Sequence, residues 1–180
     1  MKTVIIVANE EEAKNLSELV FNHTPDKEVM ILITGEGRTN VIKMLSEKLK
    51  NGTIKPNDRI INVGYVGAYG FKKGDIVCIH KVQHFNPSNY VKERPLELNV
   101  NSKYSLTECF TSDNFVDTDY VNPNMPDKFV CDMELYYIAL MFPDVISYKI
   151  VSDELNYEDY KKASFNESWI NLKEYIKENL

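Results

Sequence analysis

One pattern constrains the fold more than any other: a short apolar run, a turn, then a segment of helical periodicity, repeated along the first part of the chain. Residues 4–8, Val-Ile-Ile-Val-Ala, are continuously apolar, as in a strand buried on both faces. Residues 10–21 carry Ala13, Leu16, Leu19 and Val20 on one helical face. Residues 29–33 form a second apolar run, closed by Gly35-Glu36-Gly37. Residues 40–50 read as a helix with Val41, Met44, Leu45 and Leu49 inward. Residues 59–63 read as a third strand, closed by Gly64 and Gly67. Such alternation predicts βαβ units on a largely parallel sheet.

Downstream, residues 75–85 and 105–110 read as strands, 132–141 as a helix and 145–151 as a strand. From residue 157 onward the chain is mostly helical, with Phe165, Trp169, Leu172 and Ile176 on the core face. Residues 86–103 and 117–128 are polar and proline-bearing and read as loops. Nothing resembles a linker or a repeat, so one domain over residues 1–180 is expected.

The net charge of −6 argues against a nucleic-acid partner. No apolar run is long enough to span a bilayer, so no membrane partner is expected. Met1-Lys2-Thr3 runs straight into the first strand without a cleavage site of the signal-peptide kind. Cys78, Cys109 and Cys131 sit singly in apolar surroundings, which fits reduced, buried thiols in a cytoplasmic protein. His80 and His84, four apart in one strand, would share a face, as surface histidines rather than metal ligands. No metal or cofactor is expected.

In open α/β sheets ligands gather outside the carboxyl ends of the strands. That rule selects residues 9–12, 35–38, 64–70, 112–116 and 152–154, with 131–134 where a helix begins. Glu10-Glu11-Glu12 open the first helix, whose N-terminus favours negative charge by about 0.3–1 kcal/mol per group. Asp132 suits an N-cap with Glu134 in the first turn, and Asp153 follows a buried strand directly. Capping explains each carboxylate taken alone. Their convergence on one sheet edge points instead to acid–base chemistry assembled from distant segments. The glycine pairs match neither the dinucleotide fingerprint nor a phosphate loop.

These segments together resemble the purine nucleoside phosphorylase superfamily, and within it the methylthioadenosine/S-adenosylhomocysteine nucleosidases, as a shortened, divergent member. The strand 1–8 followed by Asn9-Glu10-Glu11-Glu12 resembles the nucleosidase opening. Gly35-Glu36-Gly37-Arg38 is similar to a Gly-x-Gly-Lys/Arg turn, and Asn62-Val63-Gly64-Tyr65-Val66-Gly67 to an Asn-x-Gly-x-x-Gly turn. Gly74-Asp75-Ile76-Val77, Ser112-Asp113-Asn114-Phe115, Asp132-Met133-Glu134 and Val151-Ser152-Asp153 follow in the family's order. The resemblance implies a three-layer α/β/α fold with a mixed, mostly parallel central sheet, nucleoside phosphorylase-like. It implies hydrolysis of the N-glycosidic bond of a purine nucleoside, 5′-methylthioadenosine/S-adenosylhomocysteine-like, with release of the free base.

It also implies roles. Glu12 would activate water as general base, and Asp153 would protonate N7 of the leaving purine. Glu134 would hydrogen-bond the ribose hydroxyls, with Met133 packed on the sugar. Phe115 would stack on the base, and the Val116 backbone would hydrogen-bond it. Gly67 and Ser152 fall within the matching substrate-binding segments. Such proteins assemble as homodimers in which a neighbour closes the pocket, and residues 84–89 are the candidate edge. Two departures fall near the reaction centre: Tyr65 stands where serine is usual and Lys149 where arginine is usual. The places of the phosphate-binding arginines hold glutamates and Ile61-Asn62, so water is the expected nucleophile. Phosphorolysis through Arg38 and a non-catalytic nucleoside-binding relative stay open as alternatives.

Overall fold

The computed structural model describes residues 1–17, 19, 28–85, 93–100 and 102–179. Strand β1 (Thr3–Val7) leads to helix α1 (Glu10–Leu16), whose N-terminus is capped by the Asn9 side chain accepting from the Glu12 N–H. Strand β2 (Val29–Ile33) leads to α2 (Arg38–Lys50), and β3 (Arg59–Tyr69) follows. Then come β4 (Ile76–His84), a two-residue β5 (Leu96–Glu97), β6 (Ser105–Thr111) and β7 (Phe129–Asp132). Helix α3 (Leu135–Met141), β8 (Ile146–Asp153), the single turn α4 (Tyr157–Tyr160) and α5 (Asn166–Glu178) complete the order. The expected helix over 10–21 and the loop over 86–103 extend into residues outside those described.

The eight strands form one mixed sheet. β1 pairs in parallel with β2 and β3, β3 with β8, β4 with β6, and β6 with β7. Antiparallel pairing joins β3 to β7, β4 to β5 and β4 to β8. The circuit β3–β8–β4–β6–β7 thus closes on itself. Alternation along β1 divides the core between the two faces, as the two-residue period requires. Val4 and Ile6 pack with Val41, Leu45 and Ile138 of α2 and α3, whereas Ile5 and Val7 pack with Leu16, Trp169 and Leu172 of α1 and α5. This is the expected α/β arrangement, with helices on both faces of a mostly parallel sheet.

Three local expectations are corrected. Gly64 and Gly67 do not end the third strand, which continues to Tyr69. Residues 129–132 are a strand, so Asp132 ends β7 and Glu134 occupies the N-cap of α3 without a side-chain cap bond. His80 and His84 do not share surroundings: the β4–β6 register shifts between Ile79 and Lys81, leaving His80 as an extra residue that breaks the alternation. His80 lines a shallow surface pocket with Phe71 and Leu106, while the His84 ring lies against Tyr136 and Tyr137. The three cysteines are buried and form no disulfide. Among the described residues no helix is long and apolar enough to cross a membrane.

Candidate active site

The site is assembled on β3, where two glycines admit two carboxyl groups. Glu12, on the first turn of α1, is 3 % exposed. Its Oε1 accepts from the Tyr65 N–H at 2.9 Å and its Oε2 from the Ala8 N–H at 2.8 Å. A Cβ at Gly64 would lie 2.8 Å from Glu12 Oε1, so any larger residue collides with a carboxylate already fixed by two main-chain donors. Glycine is needed here for close approach rather than for a turn.

Asp153, at the end of β8, has no exposed surface. The β3–β8 register runs Val66↔Val151 and then Gly67↔Asp153, so Ser152 is an extra residue and the bulge sets Asp153 against Gly67. A Cβ at Gly67 would lie 3.0 Å from Asp153 Oδ1. Asp153 Oδ1 accepts from the Asn156 N–H at 2.9 Å. The Ser152 hydroxyl lies 2.6 Å from Asp153 Oδ2 and 3.0 Å from the Val66 carbonyl oxygen. A hydroxyl has one proton to give. If Ser152 donates to Val66, the proton between Ser152 and Asp153 must come from a protonated Asp153.

Glu134 is the third carboxyl. Its Oε1 accepts from the Gly37 N–H at 2.7 Å and its Oε2 from the Met133 N–H at 3.3 Å. Gly37 has φ of 81°, a left-handed conformation that glycine adopts without strain and that aims its N–H at Glu134. Behind these groups lies a buried ion pair. Lys149 Nζ is 2.9 Å from Asp132 Oδ2, with side chains 2 % and 1 % exposed. Asp132 also accepts from the Thr111 hydroxyl at 2.6 Å and the Leu135 N–H at 3.0 Å. A buried pair needs this degree of extra hydrogen bonding to offset its desolvation.

Burial disfavours charge on all three carboxyls. It raises Glu12, against the pull of the Tyr65 N–H, the Lys149 charge and the Ala8 N–H. It raises Asp153, against the Ser152 hydroxyl and the Asn156 N–H. It pushes Glu134 up to about 7, helped by the charge of Asp132 and opposed by Lys149.

Two cavities meet at these groups. One, of about 360 Å³, falls in the size range of small-molecule sites and is lined by Glu12, Gly67, Phe115, Met133, Glu134, Ser152 and Asp153. The other, of about 10 Å³, is lined by Glu12, Asn62, Gly64, Glu134 and Lys149, and has room for little more than one water. Phe115 meets Tyr157 edge-on with ring centroids 5.3 Å apart, so α4 covers the aromatic end of the larger cavity.

The remaining sequence candidates lie at the margins. Tyr65 borders both cavities, but its hydroxyl accepts from Trp169 Nε1 at 2.7 Å and its ring packs edge-on with Phe165 and Trp169. What it gives the Glu12 carboxylate is its main-chain N–H. Val116 lines a neighbouring cavity with Arg38 and His84, and its side chain packs with Phe110 and Phe129. Arg38 is drawn to Asp113 at 3.5 Å and lies over the Tyr137 ring. Of the candidate edge over 84–89, only His84 and Phe85 fall within the described residues.

The larger cavity also takes in residues that sequence reasoning did not single out. Asn9, Glu36, Asp113, Tyr157 and Tyr160 also line the larger cavity. Four lie at strand ends or helix starts, and Tyr160 ends the turn that covers the pocket, where no periodic signal singles out one polar side chain.

No protein-family model matches the chain, and no curated protein does. Solved structures do. The methylthioadenosine/S-adenosylhomocysteine nucleosidase of Streptococcus pneumoniae, in complex with 8-aminoadenine, superposes with TM-score 0.78 at 19 % identity, over 98 % of this chain and 99 % of that one. The corresponding nucleosidase of Neisseria meningitidis, in complex with methylthio-immucillin-A, gives 0.77 at 18 % identity, over 99 % and 98 %. Futalosine hydrolase of Helicobacter pylori gives 0.77 at 14 % identity, over 98 % and 96 %. The chain therefore has the nucleoside phosphorylase-like α/β fold.

Proposed function

We propose that this chain hydrolyses the N-glycosidic bond of a purine nucleoside and releases the free base. One observation carries the reading: Glu12 and Asp153, buried carboxyls from opposite ends of the chain, line the same cavity of about 360 Å³. The fold shared with nucleosidases supports it. Cleaving the C1′–N9 bond builds positive charge on the ribose and negative charge on the base. Glu12 takes a proton from water as its oxygen bonds to C1′. Asp153 gives a proton to the purine as the bonding pair leaves with it. Glu134, fixed by Gly37, holds the ribose hydroxyls, with Met133 against the sugar, and Phe115 stacks on the base, whose edge meets the Val116 main chain. Gly67 and Ser152 fix the acid, Tyr65 and Lys149 the base. Each general acid or base is typically worth about 10²–10⁴-fold.

Water is favoured over phosphate as the nucleophile by the space beside Glu12. That cavity, about 10 Å³ and lined by Glu12, Glu134 and Lys149, has the size of a water and is too small for a phosphate dianion. No cofactor or metal enters the reaction. The buried cysteines, outside any disulfide, support a reducing, cytoplasmic setting, and the chain would act as one domain in a homodimer. The test is a screen of purine nucleosides for free base, with and without phosphate. Base release at a rate independent of phosphate is expected. Ribose 1-phosphate among the products would replace hydrolysis with phosphorolysis, and binding without release would leave a nucleoside-binding protein.

A further inference from the structure

Among the described residues, the larger cavity is lined by six carboxyl groups and no basic side chain. Five of these are accounted for. Asp132 is paired with Lys149 and Asp113 with Arg38. Glu12, Glu134 and Asp153 are the buried groups described above, each fixed by main-chain donors. The sixth, Glu36, is exposed at the rim, and among the described residues no cation pairs with it. Its Oε1 accepts from Asn9 Nδ2 at 3.2 Å and lies 3.5 Å from the Tyr160 hydroxyl. The rim is therefore a polar, acidic contact between the β2–α2 turn, the start of α1 and the end of α4.

Its place is the sugar end of the cavity. Glu36 directly precedes Gly37, whose N–H holds Glu134, the carboxyl assigned to the ribose hydroxyls. The base end lies with Phe115 and Asp153. We infer that the Asn9–Glu36–Tyr160 rim selects nucleosides carrying a cation or hydrogen-bond donor at the 5′ position and rejects those carrying an anion there. An ammonium can donate hydrogen bonds to the Glu36 carboxylate and add the counter-charge the rim lacks. A 5′-phosphate would bring two negative charges to a cavity to which no described residue contributes a cation, and like charges brought together oppose binding. A 5′-thioether would neither use nor neutralise the carboxylate.

The inference rests on the nucleosidase reading, and the experiment separates the two. Base release is measured from 5′-amino-5′-deoxyadenosine, adenosine, 5′-methylthioadenosine and adenosine 5′-monophosphate. The expected order of kcat/KM is amino, then hydroxyl, then methylthio, with the phosphate lowest and at least about tenfold below adenosine. Glu36→Gln should shrink the amino-to-methylthio ratio by about tenfold, and Glu36→Lys should raise the phosphate relative to the amine. Cleavage of all four without regard to 5′ charge, or ratios unmoved by both substitutions, overturns the inference and leaves the nucleosidase reading standing. If no nucleoside is cleaved or bound, the nucleosidase reading falls and takes the inference with it.

Discussion

Glu12 and Asp153 occupy matching places on β3, each carboxyl resting on a glycine, yet they are held differently. Glu12 meets two main-chain N–H groups, which can only donate, and the Lys149 charge reaches it. Everything around it that touches its oxygens favours the anion. Asp153 meets the Asn156 N–H, is also favoured as the anion by the Leu155 N–H, and lies against a serine hydroxyl that has a second acceptor in the Val66 carbonyl. Its surroundings accommodate a proton. Burial pushes both carboxyls the same way, so the proposed division into base and acid would rest on the groups that touch them: main-chain donors and the Lys149 charge for Glu12, and a hydroxyl able to accept as well as donate for Asp153.

This contrast can be broken experimentally. Glu12→Gln and Asp153→Asn should each lower kcat by about 10²–10⁴-fold. A nucleoside whose leaving group needs no protonation should restore most of the activity of Asp153→Asn and none of that of Glu12→Gln. Equal rescue of both would erase the distinction. Lys149→Met should destabilise the fold by about 3–5 kcal/mol in urea titrations, because Asp132 would remain buried without its partner. An unchanged unfolding midpoint would mean that the pair contributes nothing to stability.

Smaller effects follow from the glycines. Gly64→Ala should cost about 10²-fold in kcat, since its methyl collides with a carboxylate that cannot yield. Gly67→Ala meets Asp153 and Leu155 at 3.0 and 3.1 Å and requires shifts of only a few tenths of an ångström. Its loss should be nearer tenfold. The reverse order would place the tighter constraint on the acid. The smallest effect concerns Glu134. Its folded pKa, near 7, exceeds the ordinary 4.5, so the folded state binds this proton more tightly than the unfolded chain. Its contribution therefore weakens stability as pH rises from about 4.5 through about 7. Glu134→Gln should flatten that part of the stability profile, measured by urea midpoints across the range.

Much of the fold was legible because apolar runs and helical periodicity are local properties. β2 was read to the residue, and Leu16, Leu45, Trp169 and Leu172 fell on the core faces assigned to them. β7 was not legible, because Phe129-Val130-Cys131-Asp132 is only four residues long and abuts a stronger helical pattern. Glycine within a strand looks like a turn until the side chain it makes room for is known, and for Gly64 that side chain is Glu12, far away in sequence. The bulges at His80 and Ser152 depend on the partner strand's register. Lys149 stood out only as a lysine where arginine is usual, and nothing local tied it to Asp132. The acidic residues Glu12, Glu134 and Asp153 drew notice through their neighbours in the chain, whereas Glu36 and Tyr160 sit on segments without periodicity.

The closed circuit of strands bears on how the molecule comes into being. β8 is inserted between β3 and β4, pairing Ile61 with Ile146 and Ile76 with Ile150. Contacts this remote in sequence form late and slowly. Until β8 arrives, Lys149 and Asp153 are absent from the pocket, and Asp132 has no counter-charge. A chain emerging from the ribosome would therefore carry Glu12 and Glu134 before it carries the Lys149 and Asp153 side chains that complete the pocket.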